Sequence, residues 1–136
     1  MPHRYQPTEE LVDNGFAVLS FCHNDITRDN ADFTDGLAGV LYPDGKRNPT
    51  DAGKIAMWAW AAMRVMDFLQ TRDEVDKENI CVAGHSRLGK TALLTAAADE
   101  RFSAAHSNCA GCSGCGAHRK KEETHDGNQP IFYSHR

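Results

Sequence analysis

Short apolar runs alternate with stretches of helical spacing along this chain, and that alternation limits the fold more than any other feature. Phe16, Ala17, Val18, Leu19, Ser20, Phe21 and Cys22 follow one another almost without polar interruption, then give way to His23, Asn24 and Asp25. A short run with no polar face predicts a strand buried on both sides, and hence a parallel sheet. Asp51 is placed to cap a helix in which Ile55, Trp58, Ala59, Ala62, Val65, Met66 and Leu69 recur at three- and four-residue steps, with Arg64 and Asp67 on the other side. Trp58 and Trp60 are two apart on that helix and cannot face the same way, so one belongs in the core and the other near a surface or cleft. Residues 80–83 (Ile80, Cys81, Val82, Ala83) predict a second strand that breaks off at Gly84. Residues 87–98 predict a second helix, ended by Asp99, Glu100 and Arg101, and residues 102–105 open a third strand. Strand, helix, strand, helix, strand is the order of an α/β layered fold with right-handed crossovers.

At 136 residues, 40% hydrophobic and 25% charged, the chain is sized and composed for one globular domain. Its 15 basic and 19 acidic side chains leave a net charge of −4, so no massed Lys and Arg are available to track a phosphate backbone, and nucleic-acid partners are set aside. A membrane partner is set aside too, because no apolar run approaches the roughly 20 residues that cross a bilayer. The start shows no apolar signal core, but that leaves the compartment open. Five cysteines (Cys22, Cys81, Cys109, Cys112, Cys115) cannot all pair internally, so reduced thiols are expected, with Cys22 and Cys81 as small buried hydrophobes. Residues 23–53, rich in Asp, Asn, Gly and Pro, predict the longest irregular stretch, of the kind that often carries function. Residues 118–128 carry no periodicity and almost no apolar side chains.

The chemistry concentrates in residues 84–91: Gly84, His85, Ser86, Arg87, Leu88, Gly89, Lys90, Thr91. These letters satisfy G-x-x-x-x-G-K-[ST] between a strand and a helix, so one reading is a nucleotide-binding loop with Lys90 on the outer phosphate and Thr91 on magnesium. Against it, the intervening residues are bulky, and no later strand ends in the Asp that would hold the metal from the other side. The other reading is a nucleophile elbow, a tight strand-to-helix turn that exposes the Ser86 hydroxyl and aims the helix N-terminus at an oxyanion. Gly84 stands two before Ser86 as that turn requires, but position 88 is Leu and the glycine comes one later. Taken alone, the motif also fits a glycine-containing turn with no chemistry.

The surrounding residues separate these readings. Trp58, Ala59, Trp60, Arg64 and Asp67, then the unbroken stretch 80–90, then Asp99, Glu100, Arg101 and Phe102, resemble in order and spacing the glucuronoyl esterases and their bacterial, acetylxylan-esterase-like α/β-hydrolase relatives. The fixed letters of that family's G-x-S-R-x-G-K motif are all present, and the likeness covers about residues 10–117. The resemblance implies a three-layer αβα sandwich with part of its parallel sheet in residues 1–117, while residues 118–136 do not resemble the family and read as an irregular tail. It implies a serine carboxylic ester hydrolase acting on glucuronoyl or acetyl esters of plant polysaccharide, without a cofactor. Ser86 is implied as nucleophile, Arg87 as a stabiliser of the oxyanion, and Lys90 as a contact to the hydroxyls of the uronate sugar.

Two departures from the family pattern bear on activity. Cys109 stands where one common acid of the triad is expected, after the third strand, and a thiol cannot orient a histidine as a carboxylate does. The family's base histidine lies further on than this chain extends, leaving His106, His118, His125 and His135 as candidates by residue type alone. The chain therefore reads as a truncated form with low activity of its own. Cys109, Cys112, Cys115 and His118 also have the spacing C-x2-C-x2-C-x2-H. Structural zinc sites draw their ligands as separated pairs, and the family's own glycine-rich stretch accounts for Cys112, so no metal is expected.

Overall fold

The computed structural model describes residues 7–111, which pack into two compact units, one ending at Lys77 and the other beginning at Glu78. The boundary expected near residue 117, with Cys112, Cys115, His118, His125 and His135, lies outside the described residues.

The first unit is built around α3 (Lys54–Gln70), preceded by the short helices α1 (Thr8–Asp13) and α2 (Gly36–Leu41) and a single 3-10 turn at His23–Asp25. Of the spacing that predicted α3, Trp58, Ala59, Ala62 and Met66 are buried and Ile55, Val65 and Leu69 half-buried, and Met57 and Ala61 are buried beside them. Trp58 is 1% exposed and Trp60 45%, the opposed pair expected from their spacing. Arg64 and Asp67 lie on the wet side as an ion pair of 3.1 Å. Asp51 does not cap the helix, whose N-cap is Gly53. Its Oδ2 instead accepts hydrogen bonds from the backbone N–H (2.9 Å) and Nδ2 (3.1 Å) of Asn48, closing a turn upstream. The stretch expected to be irregular, residues 23–53, is tied to α3 at Trp58, whose buried Nε1 donates to the Thr27 carbonyl at 2.9 Å while His23 meets its ring edge-on at 4.9 Å.

Residues 16–22 do not form the expected buried strand. Phe16, Leu19 and Phe21 are 63%, 46% and 44% exposed, and none of the described residues forms a ladder with them. An apolar run becomes a buried strand only where neighbouring strands supply hydrogen bonds and helices cover its faces. Cys22 and Cys81, expected as buried hydrophobes, are exposed thiols, Cys22 on this unpaired run and Cys81 on the exposed face of the strand over residues 81–85.

The second unit is β1 (Cys81–His85), α4 (Arg87–Ala98) and β2 (Ala104–Asn108). β1 and β2 are parallel, paired from Cys81 with Ala104 to His85 with Asn108, as a strand–helix–strand connection requires. The strand runs through Gly84 instead of breaking there. A Cβ at Gly84 would come within 2.1 Å of the Leu88 carbonyl oxygen, so the glycine admits the helix against the strand and does not interrupt it. Asp99 ends α4 as expected, and its carboxylate accepts a fork from Arg101, Nε at 2.8 Å and a terminal nitrogen at 2.6 Å. Among the described residues no helix is long and apolar enough to cross a membrane.

Candidate active site

β1 ends at His85 and α4 begins at Arg87, so a single residue, Ser86, makes the whole bend. It does so at φ +55° and ψ −119°, a conformation that side-chain-bearing residues avoid and that costs about 1–3 kcal/mol. Backbone bonds hold it there. The Ser86 N–H donates to the Asn108 carbonyl at the end of β2 (2.8 Å), and the Ser86 carbonyl accepts from Gly89 (3.0 Å) and Lys90 (3.3 Å) in the first turn of α4. Ser86 is exposed, and its side chain makes no capping bond to the helix it precedes. The hydroxyl is thus displayed at the carboxyl end of a parallel strand, beside a helix N-terminus whose dipole favours negative charge.

The glycine that the simple motif places at position 88 is supplied at 89. There a Cβ would meet Ser107 Oγ at 2.9 Å, the Asn108 carbonyl at 3.0 Å and Ala110 Cβ at 3.2 Å. Gly84 and Gly89 therefore close α4 onto β1 and β2 respectively, and the crowding this causes forces the sharp turn between them. Arg87 is exposed at the first position of the helix, and Lys90 is half-buried one helical turn after Ser86, so all three singled-out side chains share one end of α4.

The same geometry overturns the nucleotide-loop reading. Gly84 and His85 belong to the strand and residues 87–91 already belong to the helix, which leaves no loop amides to wrap a phosphate. Thr91 is buried, and its hydroxyl donates to the Arg87 carbonyl at 3.1 Å rather than facing a metal.

Cys109 follows β2 directly, and the His85–Asn108 register sets it beside Ser86 at the same sheet edge. It is exposed, with φ +50°, and its thiol donates to Asn108 Oδ1 at 3.2 Å. His106 pairs with Ala83, three residues before Ser86, which puts it about 10 Å back along the strand and out of reach as a base. Among the described residues no three His, Cys, Asp or Glu side chains are grouped to hold a metal. Asn108, whose carbonyl locks the bend, is a member of the site that the sequence reading missed, because a backbone acceptor leaves no mark on residue type.

A strand that turns through one strained, displayed serine into a helix, with a parallel neighbour beside it, defines the elbow of an α/β-hydrolase. Comparison with known proteins agrees. The family described as "Glucuronyl esterase, fungi" matches residues 4–133. Carbohydrate esterase MZ0003, from an unknown prokaryotic organism, is 34% identical over 115 residues, 83% of this chain and 27% of that protein. A 4-O-methyl-glucuronoyl methylesterase of Wolfiporia cocos is 32% identical over 92 residues, 66% of this chain and 22% of that protein. A CE15 glucuronoyl esterase from Teredinibacter turnerae superposes with a TM-score of 0.66 at 38% identity, covering 72% of this chain and 24% of that one. This chain belongs to the glucuronoyl esterase family. It spans about a quarter of the length of these relatives.

Proposed function

We propose that the chain carries the nucleophile end of a serine carboxylic ester hydrolase acting on glucuronoyl esters of plant polysaccharide, the class of ester named in the relatives above. The observation that carries this reading is the exposed Ser86 held at φ +55° between β1 and α4. In the reaction the Ser86 hydroxyl attacks the ester carbonyl as its proton passes to a histidine base. The tetrahedral oxyanion is stabilised at the start of α4, where Arg87 offers a backbone N–H and a guanidinium. The alcohol leaves, and water then releases the acid from acyl-Ser86. Lys90, one turn along, donates to hydroxyls of the uronate ring and sets it across the elbow.

His106 is out of reach as that base, and Cys109 stands where the resemblance expects one common orienting carboxylate. Turnover of a site so equipped falls about 10⁴-fold below that of a complete triad. The test is hydrolysis of a methyl ester of glucuronic acid by the chain and by its Ser86→Ala and Lys90→Ala variants, read as released methanol. The expected result is slow turnover, lost in Ser86→Ala, with KM raised and kcat little changed in Lys90→Ala. Hydrolysis undiminished in Ser86→Ala contradicts the reading.

A further inference from the structure

The first turn of α3 holds an ammonium group almost out of water. The Lys54 side chain is 8% exposed. Its Nζ donates to the Arg28 carbonyl at 2.6 Å, to Asn30 Oδ1 at 2.7 Å and to the Asp32 carbonyl, and lies 3.7 Å from Asp35 Oδ1. The face of Phe33 lies 5.0 Å away on a further side. A buried charge is tolerated only where it is paired and its donors are used, and both conditions are met here.

The acceptors explain the shape of the loop. Two carbonyls and an amide oxygen from five consecutive residues converge on one point, which is how carbonyl oxygens replace the hydration shell of a monovalent cation. The rest of the loop is braced around them. Asp35 Oδ2 accepts from the Arg28 N–H (3.1 Å), its Oδ1 accepts from the Thr27 hydroxyl (3.2 Å), and Asp32 Oδ1 is turned away to Thr34 (2.7 and 2.9 Å). Asp35 is thus the carboxylate that ion-pairs with the ammonium, and its other oxygen also lies 3.6 Å from the Arg28 guanidinium.

We propose that residues 28–35 form a cage for a monovalent cation and that the chain supplies the cation itself as the Lys54 ammonium, so that shortening Lys54 creates a site for a free alkylammonium ion. The inference stands apart from the esterase reading, since it concerns the first unit alone.

The test is hydrogen exchange, followed by mass spectrometry, on a peptide spanning residues 27–37 of the 136-residue chain. Lys54→Ala is expected to exchange at least tenfold faster there. Ethylammonium chloride at tens of millimolar restores the protection, and tetramethylammonium chloride at the same ionic strength, with no N–H to donate, does not. Lys54→Met, which fills the stem without charge, loses protection and is not restored. If Lys54→Ala is globally unfolded, recovery of protection by ethylammonium alone carries the same meaning. Parent-like protection in Lys54→Met overturns the proposal, as does a Lys54→Ala chain on which ethylammonium has no more effect than tetramethylammonium.

Discussion

Ser86 sits in a conformation that its side chain disfavours, and the site depends on that. Replacing it by glycine removes the steric cost, partly offset by the greater freedom of glycine in the unfolded chain, so Ser86→Gly is expected to stabilise the second unit by about 1 kcal/mol in urea denaturation. Ser86→Ala keeps the Cβ and gains nothing. Both lose the hydroxyl and are expected to lose with it the ester turnover proposed for the chain. Gly84 is the converse case. A Cβ there is driven to 2.1 Å from backbone that cannot yield without unseating α4, so Gly84→Ala is expected to destabilise by about 1–3 kcal/mol or more in the same measurement. Residue types around the bend were legible: Gly84, Ser86, Arg87 and Lys90 stand out as a motif. The left-handed serine was not, because serine has no preference for that region and only the close approach of strand and helix imposes it.

At the scale of elements, α3 and α4 were readable because each buries one face, and burial at a period of 3.6 residues writes itself into the spacing of apolar side chains. β1 and β2 were readable as short apolar runs on either side of a helix, although β1 outlasted the glycine expected to stop it. Residues 16–22 carry the same signal without the same outcome, since a strand depends on neighbours and a helix supplies its own hydrogen bonds. The buried lysine was not legible at all, because its partners are mostly carbonyl oxygens. Two measurements probe how α3 holds the stretch before it. Trp58→Phe keeps a six-membered aromatic ring but loses the pyrrole N–H and leaves the Thr27 carbonyl without its donor, and about 1–3 kcal/mol of stability is expected to go in urea denaturation. Acid acts through Asp35 and Asp32. Burial raises the Asp35 pKa, but bonds from the Arg28 amide and Thr27 hydroxyl and the charges of Lys54 and Arg28 outweigh it and hold the carboxyl below its ordinary value of 3.8. Bonds from the Thr34 hydroxyl and amide lower Asp32 likewise. A carboxylate whose folded pKa is depressed contributes stability that is fully present above the ordinary value and is lost as pH falls through the folded one. Exchange protection of residues 27–37 is therefore expected to hold from neutrality to about pH 4 and to decline below it.

On the scale of the whole molecule, the chain presents large apolar side chains to solvent. Phe16, Phe21 and Val40, all of the first unit, are 63%, 44% and 76% exposed. Exposed apolar surface of this kind drives association, so sedimentation velocity is expected to show concentration-dependent self-association that the double variant Phe16→Ser, Phe21→Lys reduces. The family is established over nearly the full chain, but the proposed chemistry turns on one hydroxyl at one bend. The most direct test of it is covalent: incubation of the intact chain with a fluorophosphonate ester, followed by peptide mass spectrometry. A single phosphonyl adduct on Ser86, absent from Ser86→Ala, is the expected result. An unmodified Ser86, or equal labelling of the alanine variant, contradicts the assignment of Ser86 as nucleophile.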